Sequence, residues 1–159
     1  MYPMSIQNEA TSSPSSRLPI ISLPSTDNLT AGPDHPGTVL LVEDEEGIRD
    51  IATLLLETIG YCVVSAASGN EAVEKFLDFK GTVDVLLTDV LLPGMDGGQL
   101  ATLLTGIDPD LKVVYMSGYS ADALPGDGAA YFVQKPFTRE ILACKLREVL
   151  QGPPSAFQQ

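Results

Sequence analysis

Basic residues are scarce in this chain: 9 lysines and arginines stand against 21 aspartates and glutamates, for a net charge of −12. That balance excludes nucleic-acid phosphate as a main ligand, because Coulomb repulsion would replace counterion release. It favours cationic partners or divalent metals. Histidine occurs once, at His35, outside the expected core, and cysteine only at Cys62 and Cys144, with no CxxC pair. No zinc ligand set can be assembled from these, and the two cysteines read as buried free thiols in a reducing compartment. There is no apolar segment of about 18 residues or more and no basic-then-apolar start. Neither membrane span nor signal peptide is expected, and the location read from the sequence is cytoplasmic.

The 159 residues suffice for one domain with a tail. A domain of about 120 residues buries about two-thirds of its unfolded surface, so no disulfide or metal staple is needed. Residues 1–37 are rich in Ser, Thr, Asn and Pro, with prolines at 3, 14, 19, 24, 33 and 36. Such a stretch has too little apolar surface to offset its ordering entropy and is read as disordered. Its short run Leu18-Pro19-Ile20-Ile21 suits a linker better than a docking segment. The domain is placed at 38–151, and 152–159 as a flexible C-terminal tail.

From Thr38 onward strands and helices alternate. Residues 38–42 form a β-branched apolar run that stops at Glu43-Asp44-Glu45-Glu46. Ile48, Ile51, Leu54, Leu55 and Ile59 then recur at helical spacing, with Gly60 as the residue that ends the helix. Residues 62–66 are a second strand. Ser68-Gly69-Asn70-Glu71 has the form of a capping box opening a helix that turns Ala72, Val73, Phe76 and Leu77 inward. Strand three is placed at 83–88, followed by a helix with Leu100, Leu103, Leu104 and Ile107 on one face. Strand four is placed at 111–116, a short helix at 120–124, and strand five at 131–134. A last helix beginning near Phe137 carries Ile141, Leu142, Leu146, Val149 and Leu150 inward. Five such units imply a doubly wound parallel α/β sheet of flavodoxin-like (βα)5 type, strand order 2-1-3-4-5, with a shortened fourth helix.

In that order strands one and three are neighbours, so Glu43, Asp44 and Asp89 meet in the crevice at the carboxyl ends of the strands. Three close carboxylates need a compensating cation, and hard oxygen donors of this kind suit Mg²⁺. Asp89 is then a nucleophile toward a phosphoryl group. Acids after strand one can instead simply begin a helix, whose dipole favours them. Glu45 and Glu46 belong to that reading, and Glu43-Asp44 fits either. Ser117 and Lys135, ending strands four and five, bring a hydroxyl and an ammonium to the same rim, as phosphoryl oxygens require.

With those residues in place, the chain resembles the receiver domains of two-component response regulators over residues 38–151. The resemblance rests on Val42-Glu43-Asp44-Glu45, on Thr88-Asp89-Val90-Leu91-Leu92-Pro93-Gly94-Met95-Asp96-Gly97, on Met116-Ser117-Gly118-Tyr119 and on Gln134-Lys135-Pro136-Phe137. In wording these look most like receivers of hybrid sensor kinases. The resemblance implies Asp89 as phosphoacceptor, loaded from the phosphohistidine of a kinase or phosphotransfer domain. It implies Mg²⁺ held by Asp44, Asp89 and the Leu91 carbonyl, with Glu43 acting through water. It gives Lys135 to the phosphoryl group, Ser117 to a turn toward it, and Phe132 to the switch position, where a phenylalanine can act only by packing. A cis Lys135-Pro136 peptide is implied as well. Such a domain is a self-phosphorylating receiver, without turnover of a separate substrate, that signals to a downstream protein target. Leu91 and Tyr119 occupy the positions that tune water access, and both are bulky, so slow loss of the phosphoryl group is expected.

The segment between Ser117 and Lys135 is about one helical turn shorter than usual for the family, which puts its output face in doubt and favours a monomer or weak dimer. The chain ends soon after the last helix, so no DNA-binding or enzymatic output domain is expected. It reads as a stand-alone receiver or as part of a larger sensor kinase. An FMN-binding flavodoxin shares the sheet order, but Glu43-Asp44-Glu45-Glu46 would repel its phosphate. A haloacid dehalogenase-type hydrolase needs a second aspartate two residues after the first, where Leu91 stands. The remaining alternative is a receiver-like protein-binding module that is never phosphorylated.

Overall fold

The structure, a computed structural model, describes residues 36–79, 81–119 and 131–151. The expected tails and the short helix at 120–124 lie outside the described residues, apart from Pro36 and Gly37. Five strands alternate with helices: β1 (Thr38–Val42), α1 (Glu46–Ile59), β2 (Cys62–Ala66), α2 (Gly69–Asp78), β3 (Val85–Asp89), α3 (Gly97–Ile107), β4 (Lys112–Ser117), β5 (Tyr131–Gln134) and α4 (Arg139–Gln151). The sheet runs β2-β1-β3-β4-β5, every pair parallel, as the sequence implied.

Strand pleating sends successive residues to opposite faces, and two apolar layers result. Val39, Leu41, Val85, Leu87, Val114 and Met116 pack with Ala52 and Leu56 of α1 and with Leu142 and Leu146 of α4. Leu40, Val42, Leu86 and Tyr115 pack with Phe76 of α2 and with Leu100 and Leu104 of α3. Each fully buried leucine contributes about 1.5–3 kcal/mol, enough to fix which residues face in and so to fix register. Two strands begin and end one or two residues later than the sequence suggested: β3 starts at Val85 and includes Asp89, and β4 includes Ser117.

Several helix faces differ from expectation. In α1 the contact line runs through the small Ala52 and through Leu56, while Ile51 and Leu54 are exposed. A step of one residue turns a helix by about 100°, so neighbours of the contact line are carried off the sheet. The same shift leaves Leu77 of α2, Leu103 and Ile107 of α3, and Ile141 of α4 exposed, with Ala101 buried instead. The cysteines are not in the core: Cys62 begins an edge strand and is half-buried, and Cys144 lies on the outer face of α4. No helix of the described residues is long and apolar enough to cross a membrane.

Caps set where the helices start. Ser68 accepts from the Glu71 N–H at 3.2 Å, while the Glu71 carboxylate takes the N–H of Ala67 rather than that of Ser68. Asp96 forms a complete capping box with Gln99 at the head of α3, so this acid of the Pro93–Gly97 stretch serves as a helix cap.

Candidate functional site

The register of a parallel sheet decides what meets at its carboxyl edge. Val42 pairs with Thr88, Asp89 with Met116, and Ser117 with Gln134. The residues just after β1 and β5 therefore join the ends of β3 and β4 in one crevice. Glu43, Asp44 and Asp89 each offer a carboxylate oxygen, and these oxygens lie within 4.8 Å of one another.

Lys135 enters from the end of β5 and bridges two of them, at 2.5 Å from Glu43 Oε2 and 2.7 Å from Asp89 Oδ2. The other oxygens are also held: Glu45 N–H donates to Glu43 Oε1 at 3.1 Å and Leu91 N–H to Asp89 Oδ1 at 3.1 Å. Burial pushes the Glu43 carboxyl above its ordinary range, against the pull of Lys135 and the Glu45 N–H. For Lys135 burial acts downward, but the hydrogen bonds to Asp89 and Glu43 outweigh it and hold the ammonium above its usual range. Glu43 is 1% exposed and Asp89 9%, so this is an ion triad inside the protein rather than a surface pair.

Asp44 differs. Its side chain is exposed and accepts no hydrogen bond among the described residues. Three carboxylates against one ammonium leave an excess of negative charge, and one of the three has no partner among those residues. This donor set of hard oxygens fits a divalent cation such as Mg²⁺.

Ser117 is buried, and its Oγ accepts the Tyr119 N–H at 3.0 Å, while its carbonyl accepts the Lys135 N–H at 2.8 Å. Among the described residues its hydroxyl proton has no acceptor. Phe132 is half-buried against the α2–α3 layer, paired in register with Tyr115. The Lys135-Pro136 peptide is cis. Leu91 and Tyr119 stand exposed beside the crevice, at 60% and 65% of their surface.

Two contributors were not singled out from the sequence. Gly97 approaches the Asp89 carbonyl so closely that a Cβ there would lie 2.2 Å from the oxygen, and its N–H donates to the Val90 carbonyl at 2.9 Å. Arg49, on α1, donates from Nη1 to the carbonyl of Glu43 at 2.8 Å. The glycine run at 97–98 after a turn signals close backbone approach, but an arginine amid acids looks like any surface ion-pair partner.

Comparison with known proteins agrees with this geometry. The response regulator receiver domain model matches residues 39–147. The chain is 42% identical over 118 residues to Sensor kinase CckA of Brucella abortus, covering 72% of this chain and 12% of that protein. It is 35% identical over 116 residues to the response regulator receiver protein CpdR of the same organism, covering 70% of this chain and 95% of that one. The crystal structure of the response regulator protein TrrA from Thermotoga maritima, in complex with Mg²⁺-BeF, superimposes with a TM-score of 0.64 at 29% identity, covering 71% of this chain and 98% of that one.

Proposed function

The chain belongs to the response regulator receiver domain family, and on that premise we propose that Asp89 is the phosphoacceptor of a two-component phosphorelay. The observation that carries the assignment is the Asp89–Lys135–Glu43 triad at the switch point of the sheet, with the Asp44 carboxylate beside it. An Asp89 oxygen attacks the phosphorus of a phosphohistidine. The new P–O bond forms as the P–N bond breaks, and the histidine nitrogen leaves with the electron pair.

Asp44, Asp89, the Leu91 carbonyl and Glu43 would hold Mg²⁺, which supplies neutralisation of the charge on the transferring phosphoryl oxygens. Lys135 is already hydrogen-bonded to Asp89 and needs only to exchange a carboxylate oxygen for a phosphoryl oxygen. Ser117 donates its hydroxyl proton to the attached group. Phe132 transmits the change by repacking against Tyr115. The donor is a histidine kinase or phosphotransfer domain, and the recipient of the signal is a protein target. No separate substrate is turned over, and the setting is cytoplasmic.

The test is Mg²⁺-dependent labelling by acetyl phosphate of the wild type and of Asp89→Ala. Label is expected on the wild type alone. Label that survives in the variant overturns the assignment.

A further inference from the structure

The acidic loop after β1 is organised by a residue outside the triad. Glu45, the N-cap of α1, makes no capping hydrogen bond with its side chain. Its own N–H is taken by the Glu43 carboxylate. The Arg49 guanidinium, half-buried in the first turns of α1, folds back onto the loop instead. Nη1 donates to the Glu43 carbonyl at 2.8 Å and lies 3.4 Å from the Asp44 carbonyl.

The choice of acceptor is informative. Glu43, Asp44, Glu45, Glu46 and Asp50 all lie within six residues of Arg49, yet none of the ion pairs among the described residues includes it. An arginine on a helix would ordinarily extend its head into water or take a carboxylate bidentately. Here it leaves the carboxylates uncovered and fastens the peptide that carries two of them. Asp44 has no side-chain hydrogen bond of its own among those residues, so the backbone on either side of it sets where its carboxylate stands.

We infer that Arg49 is a positioning residue for the divalent cation, holding the Glu43–Asp44 peptide so that the Asp44 carboxylate stays in the cluster with Glu43 and Asp89. This deepens the reading of the site as a Mg²⁺ site and rests on it. Groups that hydrogen-bond to metal ligands from outside commonly change metal affinity tenfold or more. The sign separates positioning from charge. Removing a nearby cation would, by Coulomb's law alone, let a dication bind more tightly. Removing a positioning residue makes it bind more weakly.

The experiment is calorimetric titration of the full chain with MgCl₂, at a temperature where circular dichroism shows each protein folded. R49M and R49Q, which abolish the charge and the fork, are expected to raise the Mg²⁺ Kd about tenfold. R49K keeps one donor and should fall between them and the wild type. A Kd at or below the wild-type value in whichever of R49M and R49Q folds overturns the inference, as does an R49K no better than those two. A loss of thermal stability with an unchanged Kd marks a purely structural role and overturns it too. If the wild type itself binds no Mg²⁺, it is the phosphoacceptor reading that fails, so the two failures are distinguishable.

Discussion

At the scale of single residues, Lys135 has the most to lose. Its ammonium is the one cation hydrogen-bonded to the Glu43 and Asp89 carboxylates among the described residues, and Glu43 is almost wholly buried. Removing one partner of a buried pair costs about 3 kcal/mol, because the other charge stays behind without compensation. Lys135→Met should show that loss in urea unfolding without added Mg²⁺, and part of it should return with Mg²⁺, through binding to the native state alone. Unchanged stability would show that the triad contributes nothing to the fold. Gly97 is the steric counterpart. A methyl group 2.2 Å from the Asp89 carbonyl oxygen forces the head of α3 or the end of β3 to move, at about 1–3 kcal/mol. Gly97→Ala should therefore lower thermal stability and slow acetyl phosphate labelling together. Wild-type labelling would mean that the site tolerates the shift. On the proposed reading, the Leu91 side chain bears on loss of the phosphoryl group rather than on its attachment. Its exposed side chain stands at the mouth of the site with that of Tyr119, and neither can orient water as an amide can. Leu91→Asn should shorten the lifetime of the label several-fold in a chase experiment, and an unchanged rate would remove this residue from the control of hydrolysis.

At the scale of elements, the helix starts around the site divide into structural and functional. Asp96 accepts the Gln99 N–H at 2.8 Å while its own N–H donates to Gln99 Oε1 at 3.1 Å. It caps α3 and takes no hydrogen bond from the triad. Asp96→Ala should cost about 1 kcal/mol of stability and leave Mg²⁺-dependent labelling intact. Loss of label at unchanged stability would instead place Asp96 in the site. The elements also mark what was legible in the sequence. Buried parallel strands announce themselves as continuous apolar runs ending in polar residues, so Glu43, Asp89, Ser117 and Lys135 line up in the sequence itself. Helix faces were less legible. Apolar residues on α1 and α3 exceed what one buried stripe can hold, and only contact with the sheet selects Ala52 over Ile51 and Ala101 over Leu103. Arg49 escaped for a related reason, since it bonds backbone carbonyls that leave no mark in the side-chain pattern, while Gly97 left only its glycine run as a sign of close approach.

At the scale of the whole molecule, the question is whether loading the site assembles two copies. A stable dimer needs a contiguous apolar patch of several hundred Å² on each partner. The large apolar side chains exposed among the described residues are divided among several elements: Ile51 and Leu54 on α1, Leu77 on α2 with Phe79 just after it, Leu103 and Ile107 on α3, and Leu91 and Tyr119 at the site. Leu91 and Leu103 line one groove, and Ile51 lines another with Ile48, Pro136 and Phe137. On α4, next to the edge strand β5, only Ile141 is in this group, and Lys145 there is occupied with Glu148 and the face of Tyr131. Charge opposes self-association too, because two chains of net charge −12 repel. Beryllofluoride with Mg²⁺ should therefore leave the mass measured by light scattering at that of a single 16.9 kDa chain. A doubled mass would show that activation itself creates an adhesive face. If Ile141→Asp then abolished the doubling, that face would be β5 and α4, and the sparse apolar exposure of α4 would describe the resting state alone.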